Sequence, residues 1–254
     1  MEALLARGAL GVGAELLTAF PAVVIQGARQ VGKSTLARQL VADRRSVIVT
    51  LDDQQTREAA IADEVTFVEQ NRDGVLVVDE AQRVPGLLMA VKASIDRDRR
   101  PGRFLLTGSS DLLAVKGETD SLAGRAATLT LRGLSQGELA GTPEDVVTAL
   151  RSRPSIATFT SQWTRAEYVA ALAQGSYPEM RSLAPRLRNT WVDSYVQRIL
   201  VRDAAAMPSG GNARRLHAVL AMIAANQGGE LVKARIAEGA DIPANTITPY
   251  LDVL

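Results

Sequence analysis

Four short runs of this chain are apolar almost without a break: "AVVIQ" at 22–26, "SVIVTL" at 46–51, "GVLVVD" at 74–79 and "RFLLTG" at 103–108. A strand with one wet face alternates apolar and polar residues, whereas a strand covered on both faces has no reason to. The runs therefore predict buried strands of a parallel sheet, joined by a fifth, "ATLTL" at 127–131. Between them, "KSTLARQLVAD", "TREAAIADEVTFVEQN" and "VPGLLMAVKASIDRD" have helical period. Strands alternating with helices predict a three-layer α/β domain with right-handed crossovers. Residues 1–20 read as one or two short helices, broken near Gly8 and Gly11 to Gly13.

The strand signal stops near residue 135. "SQGELAG", "TPEDVVTALRS", "TRAEYVAALAQG" and "APRLRNTWVDSYVQRILVRDAA" are helical in period, and "MPSGGN" at 207–212 marks a joint. Three further helices follow. The expected organisation is a core over 1–135, a helical segment over 136–207 and a last unit over 208–254.

Composition removes several classes of chemistry. Without cysteine there are no disulfides, cysteine-ligated zinc or iron–sulfur centres, and the single His217 cannot build a multi-histidine metal site. The 29 basic and 28 acidic residues nearly cancel, so bulk charge makes no case for nucleic acid or an anionic membrane. The opening "MEALLARGALGVGAELL" begins with Glu2 rather than a basic cluster and is interrupted by Arg7, unlike a secretion signal. No window holds eighteen uninterrupted apolar residues, so the expectation is a cytoplasmic protein without a membrane span.

The first strand leads into Gly27, Ala28, Arg29, Gln30, Val31, Gly32, Lys33 and Ser34, which fit G-x-x-x-x-G-K-[ST] between a strand and a helix. Glycines allow positive φ and close backbone approach. Successive amide N–H groups then form a nest for phosphate oxygens, and the following helix adds its positive end. Lys33 is expected to reach the β- and γ-phosphates, Ser34 to offer its hydroxyl to Mg2+, and Thr35 to lie beside the α-phosphate of ATP.

Asp79 and Glu80 end the third run. Asp79 is placed to hold the magnesium through water alongside Ser34, and Glu80 to polarise an attacking water. GTPases need an Asn-Lys-x-Asp base reader, which the chain lacks. The Asp-Glu pair thus favours ATP hydrolysis. Thr107 to Ser110 end the fourth run, where a hydroxyl could touch the γ-phosphate or the water. Ser109 is the first choice and Thr107 the second, against a plain helix cap at Ser110 or Asp111. Arg125, with Arg132 as alternative, could meet a γ-phosphate of its own chain or of a neighbour.

Together "GARQVGKSTL", "LDD", "VVDEAQRVPGLLMAVKASIDRDRRPGRFLLTGSS", "SLAGR" and "LRGLSQGEL" resemble the bacterial and archaeal AAA+-type ATPases of the AAA_14 family with a DUF4143 C-terminal part. "AQGSYPEM" and "SYVQRILVRD" look like that family's Gly-Gly-Tyr-Pro-Glu and Tyr-x7-Asp segments, with Ser176 in place of the second glycine. The resemblance implies a P-loop core whose five parallel strands are ordered 5-1-4-3-2, then a helical lid and a winged-helix-like segment. It also implies ATP and magnesium, with Lys33, Ser34, Asp79 and Glu80 in the roles given above. Members of the family are usually longer. This chain stops at "TPYLDVL", so a truncated winged helix without its wing is expected.

"ELVKARIAEGADIPANTITPYLDVL" has the pattern of a helix, a tight turn at Asp241 to Pro243 and a second helix. That shape often reads DNA. From Ala244 to Leu254, however, there is no Lys or Arg. Phosphate anchoring would fall to Lys233, Arg235, Arg214 and Arg215, so weak DNA binding or a packing module is expected. Three functions stay open: an ATPase acting on a protein or nucleic-acid partner, a nucleotide-gated switch with little turnover, and a DNA-associated ATPase. Oligomeric state stays open with them.

Overall fold

A computed structural model of the chain describes residues 5–108, 122–142, 145–152, 160–206 and 212–254. By packing, the chain divides into two units, Met1–Ser182 and Leu183–Leu254.

The first unit opens with helix α1 (Ala9–Ala19) and strand β1 (Ala22–Gln26). Then come α2 (Lys33–Leu40), β2 (Ser46–Thr50), α3 (Gln54–Ala62), α4 (Glu64–Val68), β3 (Val75–Asp79), α5 (Leu87–Arg97), β4 (Phe104–Gly108) and β5 (Ala126–Thr130). The sheet is ordered β2-β3-β4-β1-β5 and all four pairings are parallel, which is the expected 5-1-4-3-2 order.

Alternate residues of β1, β3 and β4 feed two cores, whereas the edge strand β2, expected to be buried on both faces, turns Val47 and Val49 toward one core and leaves Ile48 44% exposed. Val23, Ile25, Val75, Val77 and Leu105 pack with Leu17 of α1 and Leu36 and Leu40 of α2. Ala22, Val24, Leu76, Val78, Phe104 and Leu106 pack against α3, α4 and α5 on the opposite face. Burying strands on both faces requires the unbroken apolar runs seen in the sequence.

Two helices differ from expectation. Glycines at 11 and 13 do not break α1. A Cβ on Gly13 would stand 2.9 Å from a Leu40 methyl, so the glycine lets α1 lie close on α2. The stretch read as one helix over 56–71 is instead α3 and α4. Asp63 separates them and its side chain accepts the Thr66 N–H at 2.9 Å, so a cap interrupts the helical pattern.

Beyond β5 the described residues form helices only. In the first unit these are α6 (Gln136–Ala140), α7 (Val146–Ser152) and α8 (Arg165–Gln174). The second unit has α9 (Pro185–Ala206), α10 (Ala213–Ala225), α11 (Lys233–Gly239) and α12 (Thr248–Val253). Leu200, Leu216, Val219, Ile236 and Ile247 form its own core. The Pro-Gly joint at 207–211 lies outside the described residues. Asp241 takes a left-handed φ of 53° in the turn after α11, where the tight turn was expected. His217 is exposed on α10. Among the described residues no helix is long and apolar enough to cross a membrane.

Candidate functional site

The carboxyl ends of β1, β3 and β4 meet at one edge of the sheet, because the strands are parallel and adjacent. The glycine-rich loop leaves that edge. Gly27 has φ +155° because the chain after β5 passes directly over it: a Cβ there would lie 2.1 Å from the Leu131 carbonyl oxygen. Leu131 N–H also donates to the Gln26 carbonyl at 2.8 Å. Gly32 has φ +97° and Gln30 φ +62°, so the loop carries a left-handed residue that has a side chain. Such a conformation is held by surroundings rather than preference. Within the loop, Ala28 and Gln30 are exposed and Val31 is buried. Arg29 is half-buried and Thr35 exposed on α2.

Lys33 begins α2 and is only 6% exposed. Its ammonium donates to the Gly27 carbonyl at 3.1 Å and the Ala28 carbonyl at 2.9 Å. Burial pulls its pKa below the ordinary lysine value, against the opposing pull of Glu80 and Asp79. The cation is thus already drawn in under the loop, desolvated and facing weak acceptors.

Beside it, the Ser34 hydroxyl donates to the Asp79 carboxylate, at 2.8 Å from Oδ1 and 2.9 Å from Oδ2. Thr107, fully buried at the end of β4, donates its hydroxyl to the same carboxylate and accepts the Glu80 N–H at 3.2 Å. Glu80 sits in the left-handed region at φ 58°, which turns the chain sharply away from β3. Its carboxylate accepts the Gln82 side-chain N–H at 2.6 Å.

The structure therefore brings together Lys33, Ser34, Asp79, Glu80 and Thr107. Ser109, the first choice for a sensor, lies outside the described residues, as do Ser110 and Asp111. Arg125 stands elsewhere. Its carbonyl accepts the Ala22 N–H at the start of β1, so it lies at the amino edge, a strand length of roughly 16 Å from the loop. There it grips both Asp96 oxygens, at 2.7 and 3.0 Å. Within one chain this geometry keeps Arg125 away from a phosphate on the loop, because consecutive parallel strands put residue 125 and residue 27 at opposite ends. Arg132 is exposed, and its carbonyl is held by Arg7 at 2.7 Å.

Residues 19–140 match the AAA_14 family model, an AAA domain. Residues 165–254 match the domain of unknown function DUF8612, where the sequence resemblance had implied DUF4143. Uncharacterized protein Mb2031c of Mycobacterium bovis and uncharacterized protein Rv2008c of Mycobacterium tuberculosis are each 26% identical over 234 residues, 92% of this chain and 47% of theirs. The chain thus spans about half the length of these curated relatives. Among solved structures, the Walker-type ATPase PABY2304 of Pyrococcus abyssi shares the fold at a TM-score of 0.51 and 13% identity, over 94% of this chain and 88% of that one. The AAA match supports a nucleotide-binding ATPase domain over residues 19–140, and the solved structure shares the fold.

Sequence reading missed three residues at this edge. Gln82 was visible only as part of "DEAQR". Arg7 showed only as a break in an apolar run, and Glu138 only as a charge in a short helix. Their partners are 2, 24 and 131 residues away, and for the last two no local pattern encodes the meeting.

Proposed function

We propose that this chain binds ATP with Mg2+ on the loop from Gly27 to Ser34 and hydrolyses it to ADP and phosphate, changing conformation with the nucleotide. The single observation that carries the reading is the convergence of Lys33, Ser34, Asp79 and Thr107 beneath a glycine loop, with Glu80 one residue further along. Magnesium fits the donors: a hydroxyl and a carboxylate are already side by side, both hard oxygen ligands. Among the described residues no cluster of three or more Asp, Glu, His or Cys could cage a metal alone. Mg2+ commonly takes one or two protein oxygens and completes its shell with phosphate and water. Ser34 and Asp79 would hold the ion, which when bound would draw charge from the β- and γ-phosphate oxygens.

This chain's own groups supply the rest. Lys33 exchanges its two carbonyl partners for phosphate oxygens, a stronger pairing for a desolvated cation. The carboxylate of Glu80 takes a proton from a water whose oxygen attacks the γ-phosphorus, while the bond to the β-bridging oxygen breaks and ADP leaves. Gln82 holds that carboxylate in place, and Thr107 ties the Glu80 backbone to Asp79, so the base and the metal-holding group move as one piece. Helices α6 and α8 of the first unit are the part we propose moves with the nucleotide.

DNA is the weaker choice of partner. Thr248, one of the few polar side chains on the last helix, accepts from Lys233 at 3.3 Å, and that helix carries no basic residue.

The test is phosphate release from Mg-ATP by the wild type and by Glu80→Gln. Loss of a general base lowers turnover on the order of a hundredfold or more while ATP binding persists. Equal turnover in the two proteins would remove Glu80 from the chemistry.

A further inference from the structure

We propose that Arg7 is a positioning residue for the nucleotide: it fixes a peptide plane of the phosphate loop and ties that plane to the first helix beyond the sheet. The inference rests on the reading of residues 27–34 as an ATP site.

The Arg7 side chain is only 8% exposed, and its planar fork is used on three sides. Nη1 donates to the Val31 carbonyl at 2.8 Å, Nη2 to the Arg132 carbonyl at 2.7 Å and Nε to Glu138 Oε1 at 3.0 Å. The same Oε1 accepts the Gly8 N–H at 2.7 Å. Glu138 Oε2 accepts the Ser135 N–H at 3.0 Å, and the Ser135 hydroxyl accepts the Glu138 N–H at 3.0 Å, closing a capping box at the start of α6. A largely buried ion pair is expensive unless further hydrogen bonds support it, and here each guanidinium nitrogen and both Glu138 oxygens are engaged.

The consequence falls on the loop. In a trans peptide the C=O and the next N–H point in opposite directions. With the Val31 carbonyl held on Arg7, the Gly32 N–H must face away from Arg7. Gly32, at φ +97°, has no Cβ to restrict rotation of that plane in the absence of an anchor. If the plane flipped, a carbonyl oxygen would replace an N–H in the nest and meet the phosphates with negative charge. Arg7 also stands close behind the loop, since a Cβ on Gly32 would lie 3.4 Å from its Nη1. Lysine could not replace it: a single ammonium cannot span two carbonyls and a carboxylate in a plane.

The experiment measures ATP affinity by titration, KM and kcat, and thermal melting for the wild type, Arg7→Met, Arg7→Lys and Glu138→Gln. Arg7→Met is expected to weaken ATP affinity by on the order of tenfold, raising KM while kcat holds, and Arg7→Lys to recover only part of the loss. A lower melting temperature with wild-type affinity in Arg7→Met would overturn the inference, because a merely structural residue behaves that way. If Arg7→Met does not fold, Glu138→Gln decides: a loss of affinity of about threefold supports the coupling, and wild-type affinity contradicts it. A wild type that binds no ATP would instead overturn the reading of the loop, and Arg7's role with it.

Discussion

Each end of the sheet buries a cation, Arg103 at the amino edge and Lys33 at the carboxyl edge, and the two are held differently. At the amino edge Arg103 and Arg125 are both paired with carboxylates. Arg103, buried, donates to the Ser94 and Asp98 carbonyls and to the Ser94 hydroxyl at 2.7 to 2.9 Å, and it is also paired with the Glu69 and Asp98 carboxylates at 3.6 and 3.8 Å. Arg125 closes a two-pronged pair with Asp96. At the carboxyl edge Lys33 is as buried as Arg103, yet its hydrogen-bond partners are two loop carbonyls, and Gln30 and Glu80 are held in left-handed backbone. A satisfied cation fastens one element to another. A desolvated cation under a strained loop, facing weak acceptors, is set up for a ligand that completes it. The difference separates latch from site without reference to any motif.

The sharpest way to break that comparison is Gly27→Ala. The new Cβ would meet the Leu131 carbonyl oxygen at 2.1 Å in a backbone conformation that side chains avoid. The variant should lose about 3 kcal/mol of stability and its ATP binding together, by denaturant melts and ATP titration.

Lys33→Met is next, and here stability and binding should separate. Burial lowers the folded pKa of Lys33 from 10.5, so the unfolded chain binds its proton more tightly. The charged lysine therefore works against folding below its lowered pKa, and stability rises as pH climbs from there toward 10.5. Removing the charge should leave the melting temperature at neutral pH unchanged or higher, while ATP affinity falls by about a hundredfold. A melting temperature that drops as far as in Gly27→Ala would place Lys33 among the latches.

Arg125→Ala should have the smallest effect. It removes an exposed pair, so melting shifts slightly and ATP affinity does not change. The Arg125 hydrogen bond holds the Asp96 carboxyl below its ordinary 3.8. The pair's contribution is therefore complete above that value and is lost as pH falls through the lower folded pKa. Acid melts of variant and wild type should begin to approach one another as pH falls below 3.8 and meet once it is below the lower folded pKa.

Much of the fold could be read from local pattern. A parallel sheet covered on both faces demands continuous apolar strands, and "AVVIQ" is β1 to the residue. The loop was legible because its chemistry is consecutive in sequence, and Asp79 and Glu80 because they end an apolar run. What escaped was decided in three dimensions. Gly13 looked like a helix breaker and is a contact point for Leu40. Asp63 is a cap inside an apparently continuous helix. Arg125 sits before a strand just as Lys33 sits after one, and only the parallel topology shows that this puts them at opposite edges. Arg7 and Glu138 meet across 131 residues, a distance over which hydrophobic period carries no information.

The most direct test of the account is a calorimetric titration of Mg-ATP into the wild type, Lys33→Met and Arg125→Ala. The account predicts saturable binding in the wild type, the same affinity in Arg125→Ala, and a loss of about a hundredfold in Lys33→Met. Equal weakening by both substitutions, or no binding by the wild type, would contradict it.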